Sequence, residues 1–294
     1  MHNRFFSNLL ACLVSVSAAG VTIAAPDPAA ILRAKYASLE QPLRQNQFKR
    51  PLVLDSTETP TRLRGDIYAI VDYPFGAVNT GLNNPQHWCD VMLLHINTKY
   101  CQAVTVPSGT TLKVNIGKKT PEELAHATRT EFNYNVAAAT AEYVEIVLDA
   151  KDGPLGTSDY RILLEAVGLS NGKTFLHLTY SYTTNFAARL AMQAYLGTIG
   201  SDKVGFTVIG NRPDGEPDYV GGVRGVVERN TMRYYLAIDT FLGTAGMAPT
   251  AQPEQRFQSW FTASERYLRQ LHEMERSAYV EMKRAEYLRQ QATR

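Results

Sequence analysis

Tyr160-Arg161-Ile162-Leu163-Leu164-Glu165-Ala166-Val167-Gly168-Leu169, then Ser170-Asn171-Gly172-Lys173, then Thr174-Phe175-Leu176-His177-Leu178-Thr179-Tyr180-Ser181-Tyr182: two apolar runs meet at a turn signal. Asn-Gly between such runs marks a hairpin, because both residues accept the positive φ that a tight hairpin turn requires. In the second run Leu176, Leu178, Tyr180 and Tyr182 share one face, and His177 lies on the other. Arg161 and Glu165 share a face of the first run in the same way. A lone His in this setting reads as a satisfied hydrogen-bonder rather than a base. Gly168 to Gly172 also matches the hydrolase pattern G-x-S-x-G. That chemistry puts the Ser on a strand-to-helix turn; here both flanks are strands, so the segment reads as a β-turn.

Working outward, the same period of two recurs. Asp66 to Asp72 puts Ile67, Ala69 and Val71 on one face, and Leu94 to Val104 does so with Ile96 and Tyr100. Leu112, Val114 and Ile116 alternate with Lys113 and Asn115; Val144, Ile146 and Leu148 alternate with Glu145 and Val147. Val204, Phe206 and Val208 mark a last strand, making seven in all. Mostly sequential strands of this kind predict an antiparallel sheet.

Helical stretches interrupt and flank the strands. Asp27 to Phe48 reads as an N-terminal helix that Pro42 ends, followed by a Pro- and Thr-rich connector over Asp55 to Thr61. Pro74 to Leu94 reads as two short helices split at Asn83-Asn84-Pro85. Phe186 to Leu196 reads as another short helix. Val223 to Leu242 is the longest, with Val223, Val227, Tyr234, Ile238 and Phe241 on one side. Gly243 to Pro253 reads as a linker. Gln255 to Gln291 then reads as one long amphipathic helix whose seam is Phe257, Trp260, Ser264, Tyr267, Leu271, Met274, Ala278 and Ala285. The fold class is therefore α+β, a curved antiparallel sheet around a long helix with helical extensions at both ends. The expected divisions are residues 1–24, 25–62, 63–243 and 254–294.

The first division reads as a cleavable export signal. Met1 to Arg4 is a short basic start, Phe5 to Ile23 is apolar and small, and Thr22-Ile23-Ala24 offers small residues to a signal peptidase. The alternative is a retained anchor, but Ser7, Asn8, Ser15, Ser17 and Gly20 dilute a run that would need roughly 20 apolar residues. Export implies a periplasmic or envelope location in a bacterial source. Of three cysteines, Cys89 and Cys101 follow the cut. In an oxidising compartment they read as one disulfide, the alternative being two buried thiols. Lys and Arg number 30 against 28 Asp and Glu, interleaved along the chain. Nucleic-acid binding would need a clustered basic face.

Ala69-Ile70-Val71-Asp72-Tyr73-Pro74-Phe75-Gly76-Ala77-Val78 resembles the first strand and first helix of the START-like (SRPBCC, helix-grip) superfamily. Trp88-Cys89-Asp90 sits where the second short helix of that family leads into its second strand, and Gly172-Lys173-Thr174-Phe175 resembles its late hairpin. The resemblance covers roughly Leu63 to Leu242, with Val223 to Leu242 as the gripping helix. It departs between Phe186 and Gly222, where that family usually runs straight from strand to helix. The resemblance implies an apolar ligand, lipid or sterol-like, held between sheet and helix; some members are enzymes.

On this reading Leu176, Leu178, Tyr180 and Tyr182, with Val144 and Ile146, line the sheet side of a ligand site, and Val227, Tyr234 and Ile238 line the helix side. Arg161, Arg224, Glu228 and Arg229 are candidates for fixing a polar end. The alternative for Arg224, Glu228, Arg229 and Arg233 is a solvated, salt-bridged helix face. Gly221 to Gly225 opens this helix, where a lipid phosphate would find free N–H groups. A rival reading is an envelope enzyme with Arg161, Glu165 or Glu228 as acid or base. A third is an interaction module that meets a protein partner or a second copy through its C-terminal helix. No catalytic set, cofactor motif or metal site is implied: His87, His95 and His126 lack partners at ligand spacing, and His272-Glu273 lacks the second His of a metalloprotease helix. Intact-mass measurement of the exported protein should give a chain beginning near Ala25; a chain still beginning at Met1 would remove the export reading.

Overall fold

The structure, a computed structural model, describes residues 27–186, 189, 190, 192 and 202–292. The export signal over residues 1–24 lies outside the described residues, and so does most of the helix expected from Phe186 to Leu196.

Eight strands form one antiparallel sheet: β1 (Leu52–Glu58), β2 (Arg62–Val71), β3 (Thr98–Val106), β4 (Gly109–Ile116), β5 (Thr128–Ala139), β6 (Tyr143–Asp152), β7 (Thr157–Gly168) and β8 (Thr174–Thr184). Their order across the sheet is β1-β2-β8-β7-β6-β5-β4-β3. The β7–β8 hairpin closes at Asn171-Gly172, and Gly172 takes a φ of +79° there. The return of β8 to the side of β2 pairs Ile67 with Leu178 and Ala69 with Leu176. One face is thereby continuous from Ile67 through Leu178 and Leu164 to Ile146.

The sheet holds two strands that alternation did not reveal, β1 and β5. β1 occupies most of the expected connector, and its buried inward positions include the polar Ser56. β5 alternates, but Thr130 takes one of its inward positions and Tyr134 and Val136 are only half buried. Val204 to Val208 is not a sheet strand: Val208 belongs to a separate ribbon of β9 (Val208–Asn211) and β10 (Pro217–Tyr219).

The two short helices fall where Pro85 predicts, as α3 (Phe75–Leu82) and α4 (Pro85–Leu94), with Asn84 capping the second. Cys89 on α4 is bonded to Cys101 on β3 with the Cα atoms 5.1 Å apart, and both are fully buried. Closing so short a loop stabilises by about 3 kcal/mol in the chain-entropy model. At the N-terminus α1 (Pro28–Ser38), capped by Asp27, and α2 (Glu40–Arg44) replace one helix; the break falls at Leu39, and Pro42 sits inside α2 near its start. Both lie on the outer face of the sheet, where Leu32 and Leu43 join Val167 and Phe175.

The long helix α5 (Gly222–Gly243) crosses the inner face. Gly65 of β2 faces Thr231, and a Cβ there would fall 2.2 Å from the threonine hydroxyl, so glycine sets this close approach. The expected single C-terminal helix is broken into α6 (Gln252–Ser264), a 3₁₀ turn over Glu265–Tyr267, α7 (Leu268–Leu271) and α8 (Arg276–Gln291). The break has a packing cause. α6 lies on α5, whereas α8 lies on β3, α4 and α6, so the chain must turn between them. The turn also shifts the helical phase: Ala278 and Ala285 of the expected seam are exposed, and Tyr279, Met282, Lys283 and Glu286 face inward instead.

α8 docks through buried charge. Lys283 Nζ donates to the carbonyls of His95 (2.8 Å) and Thr98 (2.9 Å) and to Glu286 Oε2 (2.7 Å). Lys99 Nζ reaches Glu286 Oε1 at 3.0 Å. Two fully buried ammonium groups thus share one carboxylate. Burial pulls Lys283 down to about 8; Glu286 opposes that shift and the neighbouring Lys99 adds to it. Removing a partner from a buried ion pair costs about 3–5 kcal/mol because an uncompensated charge stays behind. Glu286→Gln should therefore lower the unfolding free energy from urea titration by an amount in that range, with little change from Glu281→Gln on the exposed side of α8.

Candidate functional site

All nine residues expected to line a ligand site lie at the interface of sheet and α5, but they divide into two sets. Val144, Ile146, Leu176, Leu178, Val227 and Ile238 have no accessible surface, which is a close-packed core. Tyr180, Tyr182 and Tyr234 keep 5%, 3% and 7% of theirs, and Tyr160, which periodicity did not single out, keeps 7%. All four rings are buried, and they form the aromatic end of the interface.

Local structure brings those rings together. Tyr180 and Tyr182 are two apart on β8 and so share its inner face. Tyr160 of β7 keeps the inward parity of Ile162 and Leu164 and so faces the same side. Tyr160 stacks on Tyr182 at 5.1 Å between centroids, and Tyr234 of α5 meets Tyr180 at 5.3 Å. The Tyr160 hydroxyl lies 2.7 Å from Thr157 Oγ1. The hydroxyls of Tyr182 and Tyr234 have no hydrogen-bond partner among the described residues.

Tyr234 also stacks on His95, 4.7 Å away, and so joins the aromatic end to a cluster of charge. Here the expectation of a solvated face on the long helix fails. Glu228, Arg229 and Arg233 are buried, because α6 and the segment from Lys203 to Thr207 cover the side of α5 turned away from the sheet. Arg233 Nη2 donates to Glu273 Oε1 at 2.7 Å, and Lys119 Nζ reaches the same oxygen at 2.6 Å. Lys203 Nζ stands 3.4 Å from Glu273 Oε2. Arg229 forms no ion pair among the described residues; its Nη1 donates to the Val204 carbonyl at 3.0 Å. The Nε groups of Arg229 and Arg233 are buried without partners. His95 Nδ1 accepts from the Asn97 amide at 3.3 Å, which assigns the proton to Nε2, a donor that faces the side chain of Asn230 without full hydrogen-bond geometry.

The electrostatics follow from burial. Arg229 is lowered to about 10, first by burial and then by Arg233 beside it. Burial, with Arg233 and Lys283, holds His95 well below the usual range, so it is neutral. Burial would raise Glu273, but Arg233 and Lys119 outweigh it and keep the carboxyl ionised.

The other anchor candidates lie elsewhere. Arg161 is on the outer face of the sheet, 3.0 Å from Asp149, since its parity is opposite to that of Tyr160 and Ile162. Arg224 donates to Ser56 Oγ at 2.8 Å near the start of α5. Glu228 accepts from the Ser56 hydroxyl, the amides of Phe206 and Thr207 and the Thr207 hydroxyl, so its oxygens are occupied. At the glycine-rich entry to α5, Gly222 takes a φ of +60°, and Gly225 allows the close approach of Gly205, whose Cβ would lie 3.0 Å from Gly225 Cα.

The residues that sequence reasoning missed are Tyr160, His95, Lys119, Lys203 and Glu273. All five come from separate segments, so spacing carries no signal for them. A clue did exist for the arginines. Apolar residues occur all round Val223 to Leu242, which is the mark of a helix buried on every side.

On the outer face His177 bridges two carboxylates, Asp66 Oδ1 at 2.8 Å through Nε2 and Glu165 Oε2 at 2.8 Å through Nδ1. Tyr143 donates to Glu165 at 2.6 Å, Arg64 to Asp66 at 2.6 Å, and Tyr68 stacks on the imidazole at 4.3 Å. Lys35 of α1 lies over the same tyrosine. Glu165 is therefore engaged beneath the N-terminal layer, away from the inner face. Among the described residues no group of His, Cys, Asp and Glu could hold a metal ion, and no helix is long and apolar enough to cross a membrane.

No family model matches the chain, and no curated protein matches its sequence. Among solved structures it is similar to human StAR-related lipid transfer protein 5, at 8% identity over 74% of this chain and 97% of that one, with a TM-score of 0.36. Truncated norcoclaurine synthase from Thalictrum flavum aligns at 14% identity over 49% of this chain and 91% of that one, TM-score 0.34. A conserved protein from Geobacillus kaustophilus aligns at 11% over 62% and 97%, TM-score 0.35. The helix-grip architecture is established by the strand order and by the course of α5, not by these scores.

His177 gives a pH signature. Burial would lower its pKa, but the hydrogen bonds and charges of Asp66 and Glu165 outweigh that and raise it above 6.5. A histidine held more tightly in the folded state contributes stability that is full below the unfolded pKa and lost as pH rises through the folded one. The urea midpoint should therefore fall as pH rises above about 6.5, and His177→Gln should flatten that slope.

Proposed function

We propose that this chain is an exported protein that holds an apolar, lipid-like small molecule between the sheet and α5. The observation that carries the reading is the divided interface: an aliphatic half packed without remaining surface, and a tyrosine end where unpartnered hydroxyls remain. A pocket for a small molecule is mostly apolar and aromatic with a few convergent polar groups, and this end has that composition. The envelope location rests on the N-terminal segment and on the buried Cys89–Cys101 pair.

The acid and base residues weighed for an enzyme do not favour that reading. Arg161 and Glu165 lie on the outer face, and Glu228 has its oxygens occupied. The C-terminal helix spends its inward residues on β3 and α4, which leaves scattered Leu268 and Leu288 exposed for a partner.

The test compares the two halves of the interface with an environment-sensitive apolar probe. Tyr182→Trp, at the aromatic end, should weaken probe binding by about tenfold or more, equivalent to the loss of one well-buried apolar contact area. Leu178→Ala, in the packed half, should cost about 2–5 kcal/mol of stability and leave probe affinity nearly unchanged. Absence of probe binding by the wild-type protein, with no small molecule detected by native mass spectrometry of the purified chain, would overturn the reading.

A further inference from the structure

The tyrosine end does not close on apolar residues; through Tyr234 it opens on the cluster of Arg229, Arg233 and His95. Three features of that cluster point the same way. Two N–H donors, on Arg229 Nε and Arg233 Nε, are buried with no acceptor, and His95 Nε2 meets none at full hydrogen-bond geometry, its one polar neighbour being the Asn230 side chain that already accepts from Arg233. Buried polar groups are nearly always paired, so idle donors in one cluster need an explanation. Second, the carboxylates do not balance the cations. Glu273 serves Arg233, Lys119 and Lys203 together, and Glu228 is occupied by hydroxyls and amides of other segments. Third, Lys119 and Lys203 are about one-third exposed, at 34% and 32%, so solvent screens them, while the guanidinium of Arg229 is buried with no carboxylate in ion-pair contact, Glu273 and Glu228 acting on it only from a distance.

We infer that the bound molecule is an amphiphilic monocarboxylate, its apolar body against Tyr160, Tyr180 and Tyr182 and its carboxylate received by Arg229, Arg233 and the N–H of His95. This rests on the ligand-binding reading above and adds the chemistry of the polar end. One negative charge matches one unbalanced guanidinium. A carboxylate is acceptor-only and takes several N–H donors at once. His95 suits the part because it is neutral with its proton on Nε2: it donates a hydrogen bond and adds no further charge to balance. Lys119 and Lys203, at the partly exposed edge of the cluster, draw an anion toward it.

The inference makes an unusual statement about stability. If Arg229 is a structural strut, Arg229→Gln destabilises the protein. If it waits for an anion, the substitution removes an uncompensated buried charge, and the ligand-free protein melts at the same temperature or higher.

The experiment is calorimetric titration of the full mature chain with dodecanoate, 1-dodecanol and dodecyl phosphate, for the wild type and Arg229→Gln, alongside thermal melts. We expect the wild type to bind dodecanoate at least about tenfold more tightly than dodecanol, as a charge-assisted hydrogen bond warrants. Arg229→Gln should erase the preference by weakening dodecanoate alone, with no loss of melting temperature. Arg233→Lys, which keeps the charge beside Glu273 but removes the Nε donor, should reduce the preference partially. Equal binding of dodecanoate and dodecanol by the wild type overturns the monocarboxylate inference and leaves the apolar reading standing. A clear preference for dodecyl phosphate over dodecanoate also overturns it, since the site then takes a phosphate. Binding of none of the three overturns both readings.

Discussion

The whole molecule depends on the burial of α5 from two sides. A helix lying on one sheet keeps a solvated face, and its charges cost nothing there. Here α6 and the turn that follows it cover that face, so Glu228, Arg229 and Arg233 lose their water. Removing an ion from water costs several kcal/mol even after relaxation, and each of these groups must recover that from a partner. Glu228 does so from two hydroxyls and two amides, which fixes the segment at Phe206 and Thr207 against β1. Arg233 does so from Glu273, and in doing so holds the turn between α7 and α8. The same reasoning runs through α8, where Glu286 answers Lys99 and Lys283 at the β3 edge. The C-terminal third is thus joined to the sheet domain by charge pairs that would be poor choices in water and are obligatory once dry.

The layers explain how the sheet can carry two kinds of chemistry. Its inner face packs on α5; its outer face packs on α1 and α2 over part of its width. Parity along β7 and β8 decides which residue goes where. Tyr180 and Leu178 face in, and His177 and Thr179 face out. The outer network of Asp66, His177 and Glu165 is complete, with both ring nitrogens bonded to carboxylates. The inner cluster is incomplete, with donors in excess of acceptors. A finished network rigidifies the fold. An unfinished one carries an energetic cost that a ligand can relieve.

What could be read from the sequence was what period and turn chemistry control. The β7–β8 hairpin, the split at Pro85 and the extent of α5 follow from Asn171-Gly172, from proline geometry and from a long apolar-rich run. β1 and β5 were hidden because Ser56 and Thr130 hold inward positions that alternation expects to be apolar. The C-terminal break was hidden because a near-heptad seam reports that a helix buries a face, and not where it must bend to bury it. Arg161 was placed in the ligand site by proximity in sequence to inward residues, and its parity puts it outside. At the glycine-rich entry of α5 the backbone itself asks for glycine, through the positive φ of Gly222 and the approach of Gly205 to Gly225. Lys119, Lys203 and Glu273 belong to three distant segments, and only tertiary structure gathers them.

The division of the sheet–helix interface into an aliphatic and an aromatic half follows side-chain shape. Leu, Ile and Val interdigitate at the spacing of strand and helix, so Leu176, Leu178 and Ile146 close on Val227 and Ile238 without remainder. Tyrosine rings are flat and long, and four of them meeting from β7, β8 and α5 cannot all stack at once. Only the Tyr160–Tyr182 pair is near parallel, at 16°; Tyr180 meets Tyr182 at 56° and Tyr234 at 42°. The Tyr160 hydroxyl is engaged by Thr157, and those of Tyr182 and Tyr234 find no acceptor among the described residues. Tyr234, which stacks on His95, makes the aromatic end contiguous with the buried guanidinium and imidazole groups of Arg229, Arg233 and His95, so one stretch of the interface passes from apolar to donor-rich without a break.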